Sequence, residues 1–352
     1  MKNVKIALFF GGKISQHLVL IKKAAKKLGV RLDLVSYNRV FFDTENVEVG
    51  IRGDLKNEGW PQGTTRTVKN EGWLKIFDYD VLFFRTTGKH WEEVDLIVNQ
   101  ISDIRSQKKP IIIDPIVLSG KPSMACKAHQ MLALKSAGID VPKTIYGSLW
   151  FLFEKMRQSQ SVFLGPHSNA KRVDAVVQKN TFASDFNFPI IIKGSGGDRG
   201  TRVFKADNLE EMEKLVRDLR KTETEEGKRY MLQEFIPNDG DYRVLVLGKK
   251  VLGVMKRSSQ SLEEFKNNYS AGGKVEVATL PQNILDLAVK AAEVCGLAIA
   301  GVDVAFRDYD INKPVIWEVN KGPQFKGFMQ ATGINVPEEI VKYLVSLKKN
   351  ND

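Results

Sequence analysis

Residues 297–323 read LAIAGVDVAFRDYDINKPVIWEVNKGP. The apolar runs LAIAGVDVAF and PVIWEVN read as two successive strands, with the polar stretch between them as the hairpin connection. Glu318 and Asn320 are two residues apart, so on a strand they point to the same face. Asp303 sits inside an apolar run, where a carboxylate is costly to bury without a cation or another partner. Three oxygen-bearing side chains on paired strands suit Mg²⁺, a hard cation that takes few protein ligands and shares the rest of its shell with phosphate.

Working upstream, the strand PIIIK delivers Lys193 to the mouth of GSGGDRGT, a loop with four glycines in seven positions. Glycines let backbone amides converge on phosphate oxygens, and a lysine at the strand end adds a point charge for the same group. The loop is not a Walker A loop, because G-x-x-x-x-G-K-[ST] does not occur there. Taken alone, it is equally compatible with a plain glycine-rich hairpin. The strand YMLQEFIP follows, ending in an acidic residue, with Met231, Leu232 and Phe235 as apolar walls that could flank a base; any core strand could share this pattern. Asp241 and Arg243 open the next strand, where an arginine beside a carboxylate is more often a structural ion pair than a catalytic group.

The totals set bounds. A chain of 352 residues is long enough for two or three domains, and 43% hydrophobic with 27% charged residues is ordinary for a soluble globular protein. Two distant cysteines, Cys126 and Cys295, have no metal or redox spacing and fit a reducing compartment. The apolar run of MKNVKIALFFGG ends at Gly11 with no cleavage pattern, so it reads as a buried first strand, and the expected location is cytoplasmic, with no membrane partner. The net charge of +11 favours acidic partners. Part of it lies on Lys22, Lys23, Lys26 and Lys27, which read most simply as a solvated helix face. No aromatic–basic interleaving marks a nucleic-acid platform, so nucleic acid is not an expected partner. Four scattered histidines lack zinc-ligand spacing.

Along the first third, VKIALFF, a helix from about Gln16 to Leu28, RLDLVSY, YDVLFFRTT, a helix around Val94 to Gln107, and KPIIIDP alternate. Continuous apolar strands separated by helices imply a parallel sheet covered on both faces. The incomplete G-x-G-x-x-G at Gly11-Gly12 argues against a dinucleotide fold. Residues 46–73 read as a polar hairpin or loop. Later helices are expected over about Ala125–Ala137 with Gly138 as C-cap, Leu209–Arg220, Pro281–Gly296 and Val336–Lys349. The segment 150–180 has no clear pattern.

The order Lys193, glycine loop, Gln233-Glu234, Asp241/Arg243, then Asp303, Glu318 and Asn320 resembles the ATP-grasp superfamily, and within it the RimK-like carboxylate–amine ligases. The pair AGVDV and WEVN is the most specific motif, extended by ATGI at Ala331 to Ile334. The resemblance implies an α/β fold: a parallel-sheet pre-ATP-grasp domain (residues 1–122), then a two-lobed α+β ATP-grasp domain (123–352, lobes at about 123–232 and 233–352). By matching position it implies that Lys127 and Lys193 contact ATP phosphates. It places Gln233, Glu234, Phe235 and Ile236 at adenine, Asp241 at ribose and Asn268 opposite the phosphates. Arg243 and Arg257 would stabilise a transferring phosphate. Asp303, Glu318 and Asn320 would hold Mg²⁺, with Mn²⁺ as a substitute. The implied partners are an amino acid such as glutamate and an acidic peptide or protein acceptor; a homo-oligomer is compatible.

Two departures fall where substrates should enter. Ser270-Ala271 stand where the family loop carries basic or histidine side chains, and Lys321-Gly322-Pro323-Gln324 replace a serine-proline-glycine turn. Two rival classes remain at this point. One is a small-molecule ATP-grasp ligase, of the D-alanine–D-alanine or glutathione-synthetase kind. The other is a non-catalytic nucleotide- or nucleic-acid-binding protein, against which the complete metal set argues.

Overall fold

A computed structural model describes residues 4–43, 48–52, 73–87, 90–103, 108–119, 127–161, 186–194, 202–222, 229–258 and 274–349. The expectations on Cys126, His167, Asn268 and Ser270-Ala271, and most of those on 46–73 and 150–180, lie outside the described residues.

The first third holds β1 (Lys5–Phe10), α1 (Gln16–Lys27), β2 (Arg31–Ser36), β3 (Val40–Asp43), β4 (Glu48–Arg52), β5 (Trp73–Lys75), β6 (Val81–Phe84), α2 (Trp91–Asp103) and β7 (Ile111–Ile113). Strands β2-β1-β6-β7 form the expected parallel sheet. Its alternation has period two. Ile6, Leu8, Phe83 and Ile113 face α1 and the last helix of the chain, whereas Ala7, Phe9, Leu82 and Phe84 face α2. Helix α2 begins at Trp91, a turn before the sequence-based estimate, and carries Glu92 and Glu93 in its first turn, where the helix dipole favours negative charge. Strands β3-β4-β5 make a small antiparallel sheet beside it.

The middle section holds α3 (Lys127–Ser136), β8 (Thr144–Gly147), α4 (Leu149–Ser161), β9 (Ile190–Gly194), β10 (Val203–Ala206), α5 (Leu209–Thr222) and β11 (Tyr230–Glu234). Helix α3 ends before Gly138, whose φ of +75° is the left-handed conformation a C-terminal cap requires. Strands β10-β9-β11-β8 form an antiparallel sheet. Ile190, Ile192, Tyr230 and Leu232 face α4 and α5, enclosing a core drawn only from this section. Their neighbours Ile191, Lys193 and Gln233 therefore face the other way.

The last section holds β12 (Asp241–Leu247), β13 (Lys250–Ser258), β14 (Lys274–Ala278), α6 (Gln282–Val294), β15 (Ile299–Phe306), β16 (Pro314–Lys321), α7 (Lys326–Thr332) and α8 (Val336–Lys349). Strands β14-β13-β12-β15-β16 form a second antiparallel sheet. Val244, Val246, Val302 and Val304 pack against α6 and α3. On the opposite face, Leu245, Leu247, Met255 and Ile299 join the same apolar core as α1, α8 and one face of the parallel sheet. That core spans the first and last thirds of the chain. Cys295 is buried among apolar neighbours, and burial pushes its thiol up to about 12, as expected of a packed small side chain. Among the described residues, no helix is long and apolar enough to cross a membrane.

Candidate functional site

The face of the second antiparallel sheet that carries Leu245 and Leu247 turns polar toward its other end. Backbone register explains this. Arg243 on β12 pairs with Met255 on β13 and with Asp303 on β15, and Asp303 pairs with Glu318 on β16. Directly paired residues share a face, so Arg243, Asp303 and Glu318 form one row across three strands. Asp241 and Arg257 pair one step further along the same face, and Asn320 lies beside Gly301.

The side chains interlock. Arg243 grips Asp303 bidentately, Nε and Nη2 each 2.7 Å from a carboxylate oxygen. Arg257 binds Asp241 the same way, Nε donating over 2.9 Å and Nη2 to the second oxygen, and reaches Asp303 at 3.1 Å. Asp241, Arg257 and Asp303 are all buried. Two arginines and two aspartates balance, which is the condition for burying charge. Burial alone would raise the Asp303 carboxyl, but the charges and hydrogen bonds of Arg243 and Arg257 outweigh it and hold the group down to about 2. The Asn320 amide nitrogen donates to the same carboxylate at 3.1 Å, so its oxygen is turned away from Asp303. Glu318 meets Lys127 at 3.0 Å.

Opposite this row stands the sheet of the middle section. Its Ile191, Lys193 and Gln233 face a cleft of about 650 Å³, whose walls also carry Phe235, Ile236, Lys127 and the whole Asp241–Asn320 row. Every described candidate from the sequence therefore lines one cleft. Burial pushes the Lys193 amine down, against the pull of Glu318. Gln233 donates to the Thr144 hydroxyl at 2.9 Å. The Glu234 carboxylate is committed elsewhere, accepting from the Lys143 backbone N–H and from Arg307 Nη2, both at 2.7 Å. Arg307 Nε also donates to Asp140 at 2.8 Å.

The donor chemistry fits Mg²⁺. Asp303, Glu318 and Asn320 offer two carboxylates and an amide oxygen on adjacent strands of one face, and hard oxygen donors are what this ion takes. Arg243 and Lys127 currently supply the cationic partners of those carboxylates. Among the described residues there is no group of three or more His, Cys, Asp or Glu that could hold a metal.

Sequence reasoning missed one wall. Ser15, His17, Arg85 and Thr86, from the parallel-sheet section, and Trp317 and Lys326 also line the cleft, beside Lys321, Gly322 and Gln324 of the turn already marked in the sequence as a departure where substrates should enter. Seven cationic and four anionic side chains line the described walls, an excess of three positive charges (7 − 4) suited to a polyanion. Burial pushes the Lys321 amine down to about 8 and Arg85 to about 10, while Asp114, itself pushed up by burial, pulls both back. The missed signal was FFRTT, an arginine ending a wholly apolar strand.

Comparison with known proteins gives this arrangement its kinship. Residues 161–344, just over half of the chain, match the model of the RimK-like ATP-grasp domain. A relative from Hahella chejuensis, described as probable alpha-L-glutamate ligase 2, is 31% identical over 221 residues, 62% of this chain and 61% of the relative. Other glutamate-ligase relatives are matched over 37% to 52% of their own length, so the chain spans less than two thirds of the curated relatives it resembles. Among solved structures, the ATP-grasp ligase PsnB, complexed with a phosphomimetic variant of its minimal precursor, Mg and ADP, superposes with a TM-score of 0.62 at 13% identity, covering 99% of this chain and 100% of that one. The D-cycloserine synthetase DcsG superposes with a TM-score of 0.59 at 10% identity, covering 99% of each chain. These two likenesses show the fold alone. With the matched domain extending over β9 to α8 and the fold agreeing throughout, the chain belongs to the RimK-like ATP-grasp family.

Proposed function

We propose that this chain is an ATP- and Mg²⁺-dependent ligase that joins a carboxylate to an amine through an acylphosphate, adding an amino acid such as glutamate to an acidic peptide or protein. The observation that carries the reading is the facing of two sheets across one cleft. Lys193 and Gln233 look out from one, and the Arg243–Asp303–Glu318 row from the other.

In the proposed reaction a substrate carboxylate oxygen attacks the γ-phosphorus of ATP, and ADP leaves. The amine then attacks the acyl carbon, phosphate leaves with the former carboxylate oxygen, and the amine gives up a proton. The chain's contribution is position and charge. Lys193 and Lys127 bind phosphate oxygens. Gln233, Phe235 and Ile236 flank the base, with Asp241 near the ribose. Arg243 and Arg257, held rigidly by the two aspartates, face the transferring phosphate with little reorganisation. Asp303, Glu318 and Asn320 would hold Mg²⁺, which neutralises phosphate charge when bound. The relatives' description as glutamate ligases and the peptide-bound state of the PsnB structure support a glutamate donor and a peptide acceptor. The boundaries proposed for the units are 1–122 and 123–352, within a cytoplasmic protein.

The test is ATP-dependent phosphate release screened over free amino acids, with and without acidic peptides. We expect release to need both, to vanish in Glu318→Ala, and the acceptor's KM to rise with salt more than that of ATP, because exposed attraction is screened over about 8 Å at physiological ionic strength. Full activity in Glu318→Ala would remove the metal assignment. Better turnover with a neutral amino acid as sole acceptor would point to a small-molecule ligase.

A further inference from the structure

The missed wall of the cleft has a charge problem that the opposite wall lacks. Arg85, 8% exposed at the end of β6, donates Nη2 to the backbone carbonyl of Gly322 at 2.6 Å. Its Nη1 has no hydrogen-bond partner among the described residues, and neither has Lys321 Nζ; both atoms are buried. The nearby Asp114 carboxylate spends Oδ1 on the Ala298 and Ile299 N–H groups, at 2.9 and 3.3 Å, and its Oδ2 is also unpartnered among the described residues. Two buried cations thus share one carboxylate that bonds to neither. An unpaired buried charge is far costlier than a paired one, so a site built this way calls for a further anion.

Lys321 and Gly322 belong to the turn that departs from the family pattern directly after Asn320. Gly322 adopts φ +59°, and a Cβ there would lie 3.1 Å from Arg85 Cζ. Glycine is what lets the guanidinium lie flat against the turn. Lys326 lines the same cleft, whereas the cations of the Asp303 row already have carboxylate partners.

We propose that Arg85 and Lys321 form a carboxylate-binding subsite, which seats a non-reacting carboxylate of the substrate entering on the side of the parallel sheet and thereby selects acidic substrates. The choice of carboxylate over phosphate rests on the ligase reading above, since carboxylates and amines are the groups that such a reaction brings besides the nucleotide. A planar carboxylate also matches the guanidinium fork with an ammonium beside it.

The experiment is calorimetric titration of the full chain, with and without ADP–Mg²⁺, using two probes. L-Glutamate represents a free amino acid, and an acetylated, amidated diglutamate represents an acidic peptide. At least one probe should bind the wild type, and the one that does identifies the source. Lys321→Met, of similar length and free of the buried charge, should weaken that probe by about tenfold or more, the loss of one charge-assisted contact. Lys321→Arg should restore part of it, and affinity for ADP–Mg²⁺ should stay unchanged in both. Equal probe affinity in wild type and Lys321→Met, as expected if a bridging water alone fills the site, overturns the subsite. Failure of both probes to bind the wild type overturns it too. Failure to bind ADP–Mg²⁺ instead overturns the ligase reading, and the nucleotide-free titrations still decide the subsite.

Discussion

Two charge clusters line opposite parts of one cleft and are built on contrary terms. The Arg243–Asp303–Arg257–Asp241 quartet is neutral, bidentate and closed on itself. The Arg85–Lys321–Asp114 group carries one extra positive charge, and each member keeps a buried atom without a partner among the described residues. The first arrangement satisfies its own charges without a ligand. The second stays destabilised until an anion arrives. A ligand gains most where the protein has left a charge unmatched.

The strongest way to break this contrast is Asp303→Ala, which strips the shared carboxylate from buried Arg257 and half-buried Arg243. Breaking a buried pair in this way costs about 3–5 kcal/mol, readable as a lower urea midpoint, and a loss near zero would mean that the quartet is not a closed unit. Its pH signature has a definite sign. The folded-state value of about 2 lies below the ordinary 3.8, so the wild type holds this stabilisation above pH 4 and loses it as pH falls toward 2. That acid-limb loss should be missing from Asp303→Ala.

Lys321→Met should do the opposite and stabilise. The Lys321 amine titrates at about 8 when folded, against an ordinary 10.5. The unfolded chain therefore binds more protons between these values, and wild-type stability should climb with pH across that window. At neutral pH the methionine variant should gain on the order of 2–3 kcal/mol, and its own stability should lack that climb. A variant less stable than wild type at pH 7 would show that Lys321 is well paired after all.

Lys193→Ala sharpens the comparison from a third position, a half-buried cation facing both Glu318 and the proposed phosphates. Nucleotide affinity should fall by about 1.5–3 kcal/mol, measured by titration with a non-hydrolysable ATP analogue. Unchanged affinity would remove Lys193 from the nucleotide site.

The row of the quartet was legible because charge interrupts an apolar strand at fixed parity. Asp303 inside LAIAGVDVAF needed a partner, and Glu318 and Asn320, two apart, had to share a face. Lys193 was legible for the same reason, at the end of PIIIK. Arg85 obeys that rule at the end of VLFF, but its partner is a carbonyl 237 positions away, a distance that periodicity does not bridge. Lys321 stood out only as a break in the turn after Asn320, with nothing local to say what it faces. Helix α4 escaped because LWFLFEKM places Trp150 and Phe151 outward, at 51% and 44% exposure, which blurs the polar stripe that a surface helix normally shows.

The apolar core that runs from the parallel sheet through α1 and α8 into β12, β13 and β15 has a consequence for motion. Sections welded through one core cannot slide past each other without opening it, so the first and last thirds of the chain move as a single jaw. The sheet of β8 to β11 rests on a core of its own, with Arg307 bridging Asp140 and Glu234 near its edge as a pivot. It is the other jaw. Any opening of the cleft would then fall to that smaller jaw, while Arg85, Lys321 and Asp114, carried wholly by the larger one, keep their relative positions.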